Sequence, residues 1–187
     1  IALIFVDQSG ENQIVVVPGA NHALDPAGVM PGEADALVCQ LEILDEAIEA
    51  ALAKSDAFVC LNAAPARPVS GAILERVDLI VANSLELEAL GSSPMGALFA
   101  VTLGAEGALM LENGVEVSRA VPPQVEAVDG TAAGDAFTAC LVVSLLEGRD
   151  REEALRRACA AGAIAASRHG AQPSLPTAAE VEEILAT

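Results

Sequence analysis

Two apolar runs open the chain, residues 1–6 and 13–18. They flank the turn-forming cluster Gln8-Ser9-Gly10-Glu11-Asn12 and together predict a β-hairpin. From residue 35 the pattern changes. Short apolar runs at Ala36–Cys39, Ala57–Leu61, Leu79–Ala82 and Phe99–Leu103 predict strands, with helices at Asp45–Ala53 and Ser84–Leu90 between them. Such alternation implies an α/β fold with a parallel sheet covered by helices. Ala108–Leu111 and Val115–Ser118, around Glu112-Asn113-Gly114, predict a second hairpin. Three helices follow, at Ala133–Leu146, Arg151–Ser167 and Ala178–Leu185. No repeat, low-complexity tract or interior domain linker interrupts the series.

A parallel sheet binds ligands beyond the carboxyl ends of its strands. Gln40-Leu41-Glu42, Asn62 and Asn83 each follow a predicted strand, so they are expected to converge on one edge.

Composition narrows the partners. Hydrophobic residues make up 53% of the 187, but acids recur throughout and no apolar stretch is long enough to span a membrane. The formal net charge is −18, with one lysine (Lys54) among nine basic residues, so no basic patch can form for nucleic acid or an anionic membrane surface. Cys39, Cys60, Cys140 and Cys159 sit singly in apolar segments, with no C-x-x-C and no Cys/His cluster. Buried free thiols and a reducing cytoplasm are expected, and no signal peptide is visible.

The segment Asp129-Gly130-Thr131-Ala132-Ala133-Gly134-Asp135-Ala136-Phe137 carries the most chemistry. Small residues open a long apolar helix, whose free N–H groups form an anion site. Asp135, in the same turn, could take a proton from a hydroxyl brought beside that anion. Anion site and adjacent base are what phosphoryl transfer to an alcohol requires. Ordinary capping and dipole chemistry also accounts for Gly followed by Asp at a helix start. Asn83 and Glu86 pose the same contest, since Asn-x-x-Glu at a helix start is a capping box. There is no G-x-x-x-x-G-K-[ST] and no G-x-G-x-x-G, which excludes a P-loop kinase and counts against a dinucleotide dehydrogenase.

The 129–137 segment resembles the C-terminal signature of the ribokinase-like (PfkB) sugar kinases. Val15-Val16-Val17-Pro18-Gly19-Ala20-Asn21, Gln40-Leu41-Glu42, Leu61–Arg67, Asn83-Ser84-Leu85-Glu86, Val101–Gly107 and Gly170-Ala171-Gln172-Pro173-Ser174 follow in the family's order. The Pro-Gly-Ala-Asn, Gln-Leu-Glu and Gly-Ala-Gln-Pro-Ser pieces resemble the ribokinase branch most.

The resemblance implies a ribokinase-like parallel-sheet sandwich with helices on both faces. Residues 1–20 would be a hairpin remnant of a small β lid, and residues 21–187 part of the nucleotide-binding domain. It implies ATP-dependent phosphorylation of a sugar's primary hydroxyl, D-ribose to ribose 5-phosphate. A nucleoside or another sugar is the alternative substrate, and a catalytically silent nucleotide-binding module the alternative function. Asp135 would be the base, with the amides of Ala132, Ala133, Gly134 and Asp135 as anion hole, and Glu42 would hold the sugar. Asn83, Thr102, Leu103, Gly104, Ala105, Glu106, Gly107, Gly134 and Cys159 would serve the nucleotide, and Glu86 would reach Mg²⁺ through water. Asp129, Thr131, Ala165, Arg168, Gly170 and Ser174 would surround a potassium ion, mostly through carbonyls. Gly130 departs from the bulkier residue usual there. His22 and His169 are read as lone exposed side chains. A homodimer through the lid is also implied.

Against the family, an N-terminal portion with a sugar-contacting Asp and a Gly-Gly motif is missing, and the interval from Asn83 to Thr102, with Leu90–Gly96, is short. The chain therefore reads as a fragment or as a sequence lacking internal residues, with a natural short paralogue as the alternative, and exposed sheet edges and apolar faces are expected.

Overall fold

The computed structural model describes residues 1–6, 12–91 and 96–186. The chain forms two compact units. The first comprises Pro18–Leu103 with Met110–Val117, and the second Ile1–Val17, Gly104–Leu109 and Ser118–Thr187.

The first unit is built on β3 (Ala36–Gln40), β4 (Phe58–Asn62), β5 (Leu79–Asn83) and β6 (Leu98–Thr102), numbered after the hairpin strands β1 (Ala2–Val6) and β2 (Asn12–Val16). These four pair in parallel and in sequence order. β4 and β5 are nearly continuous apolar runs because parallel strands are covered on both faces. Leu61, Leu79 and Ile80 are fully buried. The sheet continues through β7 (Ala108–Glu112) and β8 (Val115–Ala120), giving the order β3-β4-β5-β6-β7-β8. Asn113 and Gly114 join β7 to β8 with φ of 51° and 78°, the two positive values a tight hairpin turn requires.

α1 (Asp45–Leu52) buries Ala47, Ile48, Ala51 and Leu52, and of these Ile48 and Leu52 join Leu61, Ile73, Ile80 and Phe99 in one core cluster. The sequence pattern gave no sign of α2 (Gly71–Leu74), a single turn opened by Ser70, whose hydroxyl accepts from the Ile73 N–H. α3 (Ser84–Ala89) carries the crossover from β5 to β6. The 84–97 connection lies near the lower limit of about a dozen residues for a parallel crossover, which is how so short an interval still closes. Residues 92–95 of that passage, like Gln8–Glu11 of the first turn, lie outside the described residues. β3 is one of the two edge strands, and Val38 on it is 48% exposed, so part of an apolar face is uncovered there.

In the second unit β1 and β2 form a separate antiparallel pair. Leu3, Phe5 and Val15 are exposed on it. α4 (Ala133–Leu146), α5 (Arg151–Ala166) and α6 (Ala178–Leu185) follow the expected spans, α5 ending one residue early. Small residues let them approach closely. Ala136, Ala160, Ala161, Ile164, Ala165 and Val181 share a cluster, and a Cβ at Gly162 would stand 3.2 Å from the Ala133 carbonyl oxygen. The buried Arg157 bonds the Ser144 hydroxyl at 3.1 Å and pairs with Glu182, so its charge is compensated. β8 runs two residues beyond expectation, to Ala120. Cys140 is only half-buried, a correction to the expectation of four buried thiols.

Candidate active site

In the first unit the strand ends gather polar residues. Gln40, Asn62, Asn83 and Thr102 are the last residues of β3, β4, β5 and β6. The register sets Gln40 opposite Asn62 and Asn83 opposite Thr102, so the expected convergence on the carboxyl edge is present. Glu42 lies two residues past β3 and is exposed, between Leu41, buried in the core, and Ile43, packed against it.

Asn83 and Glu86 do form the capping box. The Asn83 N–H donates to Glu86 Oε2 at 2.7 Å and the Glu86 N–H donates to Asn83 Oδ1 at 2.9 Å. The cap thus orients one carboxylate at the sheet edge. Among the described residues no three His, Cys, Asp or Glu side chains could hold a metal ion together. A divalent ion near Glu86 would therefore depend on phosphate oxygens and water, the mode Mg²⁺ favours.

In the second unit the start of α4 differs. Ala132 occupies the cap position with φ −110° and ψ 9°, and no side chain caps the helix. The Ala133 N–H bonds the Gly130 carbonyl at 3.2 Å, and Ala132 is buried. The Gly134 N–H has no partner among the described residues. Gly134 is exposed, and a Cβ built there would meet nothing within 4 Å. Of the four expected amides, Gly134 thus offers an accessible donor, next to the exposed Asp135.

The preceding loop is held by Asp129, which is buried. Its Oδ1 accepts from the Thr131 N–H and hydroxyl, and its Oδ2 accepts from the Gly170 N–H at 2.9 Å. These bonds, the Thr131 hydroxyl foremost, hold its carboxyl below the usual range despite burial, and nearby His169 adds to the effect. Asp129, Thr131 and Gly170 are thereby brought together. Arg168 turns instead to Glu180 at 2.5 Å, and Ser174 donates its hydroxyl to the Ala171 carbonyl at 2.7 Å. The Ala165 carbonyl already accepts from Ser167 and Arg168. The donor set is hard oxygen, which suits a monovalent cation. The Asp129 and Ser174 side chains are engaged, so backbone carbonyls would be its ligands.

The two glycines of Thr102–Gly107 have different reasons. A Cβ at Gly107, where φ is +96°, would lie 2.0 Å from the Ala120 carbonyl oxygen, so only glycine fits. Gly104, with φ +59°, faces open space. Thr102 and Leu103 are half-buried at the end of β6, in the first unit, whereas Ala105 and Glu106 are exposed in the second. Cys159 is buried with Sγ 3.8 Å from the Ala120 carbonyl. Burial pushes its thiol up to about 11 and that of Cys60 to about 12, so both stay protonated and unreactive. Arg67, part of the Leu61–Arg67 motif, makes backbone contacts that spacing does not reveal.

Residues 1–178 match the pfkB family carbohydrate kinases. The ribokinase of Haemophilus influenzae is 36% identical over 211 aligned positions, covering 99% of this chain and 68% of that protein. Its alignment is longer than this chain, so the relative carries internal residues with no counterpart here. The crystal structure of Thermotoga maritima ribokinase superposes with a TM-score of 0.86 at 32% identity, covering 100% of this chain and 69% of that one. Arabidopsis thaliana ribokinase complexed with ribose and ATP superposes with a TM-score of 0.82 at 27% identity, covering 98% and 68%. The chain thus spans about two thirds of the length of these relatives. With the family match across nearly its whole length, and with the α/β fold of the solved ribokinases, the chain belongs to the pfkB family of carbohydrate kinases.

Proposed function

We propose that this chain acts in ATP-dependent phosphorylation of a sugar's primary hydroxyl, D-ribose to ribose 5-phosphate. The observation that carries the reading is the α4 start, uncapped by any side chain, with an open N–H at Gly134 and an exposed carboxylate at Asp135. The ribose and ATP complex of the Arabidopsis relative supports it.

Asp135 takes the proton from the primary hydroxyl as that oxygen bonds the γ-phosphorus and the bond to the bridging oxygen breaks, releasing ADP. In a loose transition state the hydroxyl loses its proton late, so a carboxylate at a helix N-terminus suffices as base. The Gly134 N–H and the positive end of α4 meet the charge on the transferring group. Glu42 accepts hydrogen bonds from sugar hydroxyls. Asn83, Thr102 and the Leu103–Gly107 turn serve the nucleotide, with Cys159 lining from within α5. Glu86 would hold Mg²⁺ through water, and that ion supplies neutralising charge for the phosphates. The carbonyls around Asp129, Thr131, Ala165, Arg168, Gly170 and Ser174 would hold potassium, which steadies the loop before α4. The exposed apolar hairpin β1–β2 pairs with a second copy, and the protein works in the cytoplasm. A monomer by sedimentation at micromolar concentration would count against the dimer.

The test is ribose-dependent ADP release from MgATP, in potassium and in sodium, with Asp135→Asn alongside. Turnover lost in the variant is expected. Turnover retained would remove Asp135 as base, and none from the folded wild type would favour a silent nucleotide-binding module.

A further inference from the structure

Arg67 lies 22 positions beyond the end of the 41–45 turn and past β4 in the chain, yet its guanidinium spans that turn. Nε donates to the Leu41 carbonyl at 3.1 Å and Nη2 donates to the Ile43 carbonyl at 3.1 Å. Those carbonyls lie on either side of Glu42. Nη2 also pairs with Asp45 Oδ1 at 2.6 Å, and Nη1 reaches the Pro68 carbonyl at 3.2 Å. The Asp45 carboxylate in turn accepts from the Ser70 N–H at 3.4 Å, and the Ser70 hydroxyl donates to Glu49 at 2.7 Å. The Leu41 N–H donates to the Ala64 carbonyl at 2.8 Å, so the start of the turn is fixed from the same neighbouring loop.

We propose that Arg67 is a positioning residue for Glu42, its guanidinium holding the Leu41 and Ile43 carbonyls together so that the carboxylate between them is presented in one orientation. Residues 41–44 have no regular backbone pairing of their own. Leu41 is 3% exposed, so its carbonyl has little access to water and needs a protein donor. A planar fork of N–H groups can serve two carbonyls and a carboxylate at once, which a lysine ammonium cannot do with the same geometry. Glu42 itself is exposed, so the backbone of Leu41 and Ile43 sets the direction in which its side chain leaves the turn.

The inference rests on the reading of Glu42 as the sugar-holding residue. Its test therefore carries a separate arm for that reading. In the chain as it exists, Arg67→Ala is expected to raise the KM for ribose about 10- to 100-fold, leaving the KM for ATP and kcat at saturating ribose near wild type. Millimolar methylguanidinium should restore part of the loss. Arg67→Lys should behave like Arg67→Ala. Arg76→Ala, which removes an arginine bound to the Ser55 carbonyl, should leave the ribose KM unchanged. Glu42→Gln reports on the underlying reading. If it leaves the ribose KM unchanged, that reading fails whatever Arg67 does. If Glu42→Gln raises the KM and Arg67→Ala does not, or if Arg67→Lys is fully active, the positioning role is overturned. Amide hydrogen exchange decides the geometry independently of turnover. Faster exchange confined to residues 41–45 and the 64–70 loop in Arg67→Ala is expected, and an unchanged pattern would also overturn the proposal.

Discussion

The starts of α3 and α4 show what a helix N-terminus does when its donors are engaged and when they are left open. At α3 the Asn83 side chain and the Glu86 carboxylate close a reciprocal cap within 3 Å, so the first turn is complete without a ligand. At α4 the cap position is Ala132, which has no oxygen to offer, and the residue over the first turn is a glycine with empty space where a side chain would stand. Both starts belong to one chain and both carry an acid at the third helical position. The difference is the cap residue. Asn turns that acid inward to the backbone, while Ala leaves Asp135 outside the cap. A helix start that gives up a cap worth about 1 kcal/mol leaves its donors for something else.

The largest effect should come from the acid of the open start. Asp135→Asn is expected to lower ribose-dependent turnover by about 10²- to 10⁴-fold with ATP binding retained, measured by ADP release and by nucleotide titration. Gly134→Ala separates the open start from a merely structural one. The methyl has room, and alanine in a helix is favoured over glycine by about 0.8–1 kcal/mol, so thermal stability should rise slightly. Turnover should fall about 10-fold or more, because the same methyl stands over the N–H that faces the anion. A variant both more stable and equally active would remove the anion site from α4. At the closed start the order reverses. Asn83→Ala should cost about 1 kcal/mol in denaturant unfolding. Any loss of MgATP affinity beyond what that destabilisation explains would show that the cap also serves the nucleotide.

Much of this contrast could be read before the structure. The Ala133–Leu146 and Ala178–Leu185 helices match in both bounds because apolar content, a small-residue start and a Thr cap coincide with the ends. The parallel strands match within one residue, since buried parallel strands are uninterrupted apolar runs. The capping box was legible as a spacing, although only geometry shows that it forms. What sequence could not supply was of two kinds. The α2 turn is too short to have a period, and only the structure shows Ser70 as its cap. The Arg67 and Asp129 contacts join segments 24 and 41 residues apart through backbone atoms, which leave no trace in side-chain pattern. Gly107 and Gly104 looked alike in the sequence, and only the approach of the Ala120 carbonyl tells them apart.

The smallest expected effect extends the comparison to a third start. α6 has the same closed arrangement as α3, with the Glu180 carboxylate accepting from the Thr177 N–H and hydroxyl and also pairing with Arg168. The Thr177 N–H, then Arg168, then the Thr177 hydroxyl hold its carboxyl down at about 2, against an ordinary value of 4.5. A carboxylate depressed on folding adds stability that is fully present above about pH 4.5 and is lost as the pH falls toward 2. Glu180→Gln should therefore lower the melting temperature slightly near neutrality, and by less at pH 3, because solvent screens so exposed a pair. Because Arg168 belongs to the loop that Asp129 ties to the α4 approach, the variant should also loosen residues 167–170 in hydrogen exchange. A difference from wild type that persists undiminished at pH 3 would mean that Glu180 holds α6 by packing alone, and that closed starts owe their rigidity to something other than the engaged carboxylate.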